Sequence, residues 1–343
     1  MSLLRWIGGH GSNFTTSANW SPQQTPSSTS DCQVEPLSPV AISAGNVTIN
    51  SLVTDANVTL SIVPTDTFTI LGAPDAANPA GASANGGTIS LGSACDFFLN
   101  GQFTNVGALN TAAGSDVWVN STFDNDHTIN QSGDFTLGQS HAGTVDNDKG
   151  AIWSIHGAVD IAAGPVSGSS FNNAGTLTRN GTGVTDIGVA TTNSGQVSVT
   201  GGQLEFLSTV ANTGAMTATG ATLSLDSAVS GVGALDVGTR GIVDVVSGAD
   251  SGQTVKFLGT GKLELDTAGT FAGHVSGFGG ADLIDLASTI ATTKSYSGGL
   301  TSGVLTVFDG STAVAHLNFN GGYTSSSFSL GSDGHGGTLI HFV

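Results

Sequence analysis

Basic residues are scarce in this chain: 7 lysines and arginines stand against 25 acidic residues, a formal net charge of −18 over 343 residues. None falls between Arg5 and Lys149, so a nucleic-acid backbone or an anionic lipid surface would be repelled. That excludes nucleic acid as a partner. Aromatic residues make up 6 % and charged residues 9 %, which leaves few large side chains to fill a wide globular interior. No stretch reaches ~18 uncharged apolar residues, so no membrane span is expected. The opening "MSLLRWIGGHGSNF" meets glycine before any apolar run of leader length, so a cleavable signal is not expected either.

Cysteine is also nearly absent. Cys32 and Cys95 are the only two, with no Cys-x-x-Cys metal spacing, and the sequence leaves open whether they form a disulfide or stay two small buried thiols. Proline is confined: seven of eight precede residue 80. No Gly-x-Ser-x-Gly, His-Glu-x-x-His or phosphate-loop motif is present.

What the chain does have is 51 glycines and 38 % apolar residues, too many of the latter for disorder. It also repeats itself. Asn85-Gly86-Gly87-Thr88-Ile89 returns at Asn105, Asn173, Asn193 and Asn212 in the form Asn-x-Gly-x-apolar, with degenerate copies at Asn125, Asn147 and Gly231. The intervals are 20, 20, 22, 26, 20, 19 and 19 residues, a solenoid period.

Each interval carries a further short alternating segment, such as Val117-Trp118-Val119, Phe135-Thr136-Leu137, Gln203-Leu204-Glu205-Phe206 or Lys262-Leu263-Glu264-Leu265. Leu204, Phe206, Leu223, Leu225, Val243, Val245, Leu263 and Leu265 are expected to point inward. No segment has helical spacing.

These features predict an all-β fold, a parallel β-solenoid whose coils stack at ~4.8 Å. Asparagine is expected at left-handed corners, with stacked amides passing hydrogen bonds along the axis, and glycine at the next sharp corner. Three sections are expected: an irregular N-terminal cap with the first strands at 1–80, solenoid repeats at 81–275, and a β-rich C-terminal cap at 276–343.

The run Trp6-Ile7-Gly8-Gly9-His10-Gly11-Ser12-Asn13-Phe14, with Ala18-Asn19-Trp20, resembles the opening of many bacterial autotransporter-like and haemagglutinin-like repeat proteins. The Asn-x-Gly-x-Leu ladder resembles their β-helical passenger regions. "GFGGADLIDL" followed by "SDGHGGTLI" is similar to the tails of large β-strand-repeat proteins exported by type I secretion through an uncleaved C-terminal signal. The resemblance implies a secreted or cell-surface bacterial protein. Tandem Gly-Gly-x-Gly-x-Asp nonapeptides are missing, so calcium-driven folding is not implied.

The one charge-rich interval runs from 124 to 160. In the ladder register "FDNDH" at 123–127 meets "VDNDK" at 145–149, which sets Asp124 beside Asp146 and Asp126 beside Asp148. At ~5 Å, each like-charged pair costs on the order of 1 kcal/mol in water and a few times more near an effective dielectric of 20. Three readings stand side by side. The columns are solvated corners; or Asp124, Asp126, Asp146 and Asp148 hold Ca²⁺ between coils; or they act on a polysaccharide, either as paired acid and base or with Ca²⁺ acidifying a uronate proton that Lys149 removes. Trp118 and Trp153, placed in the exposed phase, are the expected substrate-binding aromatics. Asp282 and Asp285 are expected to end a strand or cap a turn, and His10, His274, His316, His335 and His341 to be surface or turn residues.

The reading of the whole is a secreted structural or adhesive solenoid that binds a surface, a glycan or copies of itself. The alternative is a polysaccharide lyase or hydrolase on the same scaffold, with no cofactor other than Ca²⁺.

Overall fold

The computed structural model describes residues 1–36, 40–74, 78 and 80–343. Residues 37–39, 75–77 and 79 of the expected N-terminal section lie outside the described residues. The fold is all-β, 3 % helical, with parallel stacked sheets forming a β-solenoid of about 12 turns. The chain divides into two compact units, Met1–Leu177 and Thr178–Val343.

In the first unit each coil lays one strand on each of three faces. The chain runs, for example, from Phe103–Asn105 on the first face to Ala108–Asn110 on the second and Asp116–Val119 on the third, then returns to the first face at Thr122–Asn125. Successive coils pair in parallel and in register: Phe103 opposes Phe123, Leu109 opposes Ile129 and Val117 opposes Phe135. This pairing enters the section expected as a cap. Ser2–Trp6 pairs in parallel with Ser30–Val34, and that strand with Ser51–Thr54. The irregular part is the excursion between them, where Trp20 packs edge-on against Trp6 and Phe14 at 5.2 and 5.0 Å and donates its indole N–H to the Phe14 carbonyl at 2.7 Å. These side chains cover the first coil, as an exposed parallel edge requires.

Strand alternation decides what is inside. Phe97, Phe103, Phe123, Phe135 and Phe171 are fully buried, and they form a continuous aromatic file with ring centroids 4.8 to 6.2 Å apart that also takes in Trp153. Each ring buried this way removes roughly 2–3 kcal/mol of apolar surface cost from the folded state.

The second unit repeats the plan. Leu204, Phe206, Leu223, Leu225, Val243, Val245, Leu263 and Leu265 are all buried, as the alternation predicts. The parallel winding runs on to Leu283–Leu286, which pairs with Lys262–Leu265 on the third face, and beyond residue 286 it gives way to antiparallel strands. Thr312–Asn320 pairs with His274–Ser276 and carries Ser302–Asp309 and Thr293–Gly298, which extend the second face. Thr338–Phe342 and Phe328–Ser332 extend the third. Phe278, Phe319 and Phe328 pack between these two extensions and close the end of the core.

The repeat motif meets one half of its expectation, since the stacked amides pass hydrogen bonds along the axis, and departs from the other. The ladder asparagines are not at left-handed corners, because among the described residues only Thr65, Ala94 and Arg240 have positive φ without being glycine. Asn85, Asn105, Asn125 and Asn147 end strands of the first face with their side chains inward and wholly buried. Each amide Nδ2 donates to the Oδ1 of the next, at 2.8 Å from Asn85 to Asn105, Asn105 to Asn125 and Asn125 to Asn147, and 2.7 Å from Asn147 to Asn173. In the second unit Asn193 donates to Asn212 at 2.9 Å, and Asn212 to Gln253 at 3.0 Å. The row answers the problem of burying a polar group, since every donor and acceptor finds a partner.

The glycine two residues on is demanded by close approach. A Cβ on Gly107 would lie 1.9 Å from the Gly87 carbonyl oxygen, and one on Gly214 would lie 2.1 Å from that of Gly195.

Candidate functional site

The register places Asp124 directly beside Asp146 on the outer side of the first face. Asp146 accepts from the Asn172 side-chain amide at 2.8 Å, and Asp124 accepts from that of Gln102 at 3.3 Å. Burial raises the Asp124 carboxyl above its ordinary range, an effect that the Gln102 hydrogen bond opposes and the charges of Asp146 and Asp126 reinforce. Asp126 and Asp148 stand beyond the strands, exposed, at the following corner. The Asp148 carboxyl rises to about 6, first through desolvation and then through its hydrogen bond to Asp126 and the neighbouring negative charges. Lys149 is exposed at the same corner, before Gly150 at φ +94°.

The corner is enlarged for a local reason. His127 stands where other coils carry the closely packed glycine, and the next coil passes over it with four residues, 148–151, before Ile152 pairs with Thr128.

Two expectations for this region and one for the cysteines are corrected. The four aspartates stand as two neighbouring pairs, Asp124 beside Asp146 on the strand face and Asp126 beside Asp148 at the corner, and among the described residues no three His, Cys, Asp or Glu side chains are grouped to hold a metal ion. Trp153 is interior: it is fully buried, opposite Ile129 in register, stacked edge-on to Phe171 at 5.4 Å, and its Nε1 donates to Gln131 Oε1 at 2.8 Å. Its flanking Ile152 takes the outward phase instead. Cys32 and Cys95 are buried free thiols. Cys32 points inward on the first face between Leu4 and Leu52, whereas Cys95 precedes a third-face strand two coils later and donates to the Val63 carbonyl at 2.9 Å. Burial pushes the Cys32 thiol up.

Trp118 does face outward. It is half-buried on the third face and lies parallel to Phe98 of the preceding coil, with centroids 5.6 Å apart and planes 8° from parallel. Its indole N–H donates to Asp96 Oδ1 at 3.0 Å. Trp6, Trp20 and Trp153 are all buried, so the ring of Trp118 is the one indole offered to solvent. Beside it runs a column of carboxylates, Asp96, Asp116 and Asp134, on three successive coils. The Asp116 carboxyl rises to about 6 through burial and the charges of Asp134 and Asp96, against the Thr136 hydroxyl that bonds it.

A longer acidic column lies in the second unit. Asp186, Glu205, Ser224, Asp244, Glu264 and Asp285 share one outward register position on successive strands of the third face. Burial, then Asp266, Glu264 and Asp226, raise Asp244 to about 6, opposed by a hydrogen bond from Ser224. Lys262 bridges Glu264 at 2.6 Å and Asp285 at 3.3 Å. Burial works to lower its ammonium, yet those two carboxylates hold it above its ordinary value. Asp282 caps a turn as expected, accepting from the Gly279 and Gly261 backbones at 2.9 and 3.3 Å.

Among the described residues no helix is long and apolar enough to cross a membrane. Comparison with family models, with curated proteins and with solved structures gave no match.

Proposed function

We propose that the chain is a structural, surface-presented solenoid that attaches to a neutral extracellular glycan through the outer third face of its first unit. The observation that supports this reading is the Phe98 and Trp118 pair. Two parallel aromatic rings on neighbouring coils offer apolar surface to the C–H faces of sugar rings, and the adjoining Asp96, Asp116 and Asp134 supply acceptors for hydroxyl groups. A charge of −18 disfavours uronate-rich or sulfated polymers. The buried amide row and aromatic file fit a stiff support more than a moving catalyst.

The test is retention of the full chain on insoluble neutral polysaccharides such as cellulose, chitin and xylan, with pectin as the acidic control. Retention on a neutral polymer that Trp118→Ala and Phe98→Ala each reduce roughly tenfold supports the reading. No retention on any polymer, or retention unchanged in both variants, sinks it. Concentration-dependent light scattering without glycan retention would favour self-association.

A second reading has its own observation. A carboxyl raised to about 6 beside another carboxylate, as at Asp148 and Asp126, is the arrangement of a general acid and its partner. Release of reducing or unsaturated ends from a polysaccharide panel, abolished in Asp148→Asn, would favour the lyase or hydrolase.

A further inference from the structure

At the N-terminal end of the first unit, three consecutive strands of the first face put Leu3, Asp31 and Ser51 in one outward register column and Gln33 and Val53 in the next. These five residues, with Asn78 and Ala82, line a cavity of about 210 Å³. Asp31 is only 4 % exposed although it faces outward. Its Oδ1 is well used, accepting from Asn50 Nδ2 at 2.7 Å and from Ser51 Oγ at 2.6 Å. Its Oδ2 is buried without a hydrogen-bond partner, and so is Oε1 of Gln33.

Both unpartnered atoms are acceptors, and one belongs to a carboxylate. Leaving such oxygens dry and unpaired is costly, so the cavity calls for a donor that carries positive charge. The single carboxylate calls for a single charge; Ca²⁺ takes six to eight oxygens, usually with several carboxylates among them. A primary ammonium carries three N–H donors and no acceptor. Asp31 Oδ2 and Gln33 Oε1 would take two, and the remaining lone pair of Ser51 Oγ the third. Leu3, Val53 and Ala82 supply apolar wall for an alkyl stem, and 210 Å³ exceeds by several fold the ~30 Å³ share of one water. Arg5, the register neighbour of Gln33, is exposed and is not one of the lining residues.

We propose that this cavity binds a primary alkylammonium group, borne either by a free amine or by the end of a lysine side chain. The site lies apart from the Trp118 face and does not rest on glycan binding.

The test titrates the full chain by calorimetry with n-butylammonium and with Nα-acetyl-lysine amide, using tetramethylammonium and potassium at equal ionic strength as controls. Saturable binding of n-butylammonium, absent with both controls and weakened at least roughly tenfold in Asp31→Asn, supports the site. Additional binding of the lysine derivative assigns it to side chains, and its exclusion assigns it to free amines. Should Asp31→Asn fail to fold, Gln33→Met carries the same test, since Gln33 is only half-buried. No saturable binding, equal binding of tetramethylammonium or potassium, or affinity unchanged in the variants overturns the proposal and leaves a water-filled cavity.

Discussion

Asn105 donates an Nδ2–H hydrogen bond to Oδ1 of Asn125 at 2.8 Å, one coil further along the chain, while Asn125 does the same to Asn147. Every link is buried, so each amide must be donor and acceptor at once. Replacing Asn125 with alanine removes the donor that Asn147 Oδ1 uses and opens a cavity, for an expected loss of about 2–4 kcal/mol in denaturant unfolding. Asn125→Asp separates the two roles. A carboxylate can accept from Asn105 but has no proton for Asn147, so its folded pKa rises. The variant should be closest to the wild type near pH 4 and fall behind as pH climbs through that raised value. Equal deficits at pH 4 and pH 7 would contradict the ladder.

Gly107 tests the contact between coils. Its missing Cβ would stand 1.9 Å from the Gly87 carbonyl oxygen, and φ there is not positive, so strain comes from crowding alone. Gly107→Ala should cost about 1–3 kcal/mol or more. Gly150 is the comparison, because a Cβ there meets nothing within 4 Å and φ is +94°; Gly150→Ala should cost only about 1–2 kcal/mol of left-handed strain. The urea midpoints of the two variants give the ranking.

Carboxylates raised by burial and by each other set a pH dependence. Asp116 and Asp244 both move from 3.8 to about 6 on folding. A folded pKa above the unfolded value means the native state binds the proton more tightly. The stabilisation is therefore full below pH ~4 and is lost as pH rises through about 6. Urea midpoints between pH 4 and pH 6.5 should fall with rising pH, and Asp244→Asn should flatten part of that fall. A midpoint that rises over this window would contradict the assignment.

Much of the fold is legible in the sequence because a narrow solenoid has few ways to hide a side chain. The interval near twenty residues and the alternation in "QLEF" and "KLEL" lead directly to the buried leucines. Asparagine and glycine mark the repeat, and the axial amide hydrogen bonds are there as expected; the corner dihedrals that propensity suggests are not, because tertiary packing puts the amide inside and the glycine against a neighbouring carbonyl. Trp153 misleads because "IWSI" is apolar in both phases, and only its register opposite Ile129 decides that Trp153 goes in and Ile152 out. The acidic column of the second unit was in reach. Asp186, Glu205, Asp244, Glu264 and Asp285 recur at coil spacing in strands whose inward partners are plain, but the aspartates at 124 to 148 are the denser local charge signal. Asp31 gives no such signal, since its burial comes from neighbouring chain segments.

The account depends on successive coils lying in register, and engineered cross-linking reads that directly. Thr104 and Asp124 are outward-facing register partners on adjacent coils, ~4.8 Å apart along the stack, within the Cα separation a disulfide spans. In a background with Cys32→Ala and Cys95→Ala, the pair Thr104→Cys and Asp124→Cys should close under mild oxidation. Thr104→Cys with Thr136→Cys, on another face, should stay reduced. A first pair that stays open while the second closes would contradict the stacked-coil architecture.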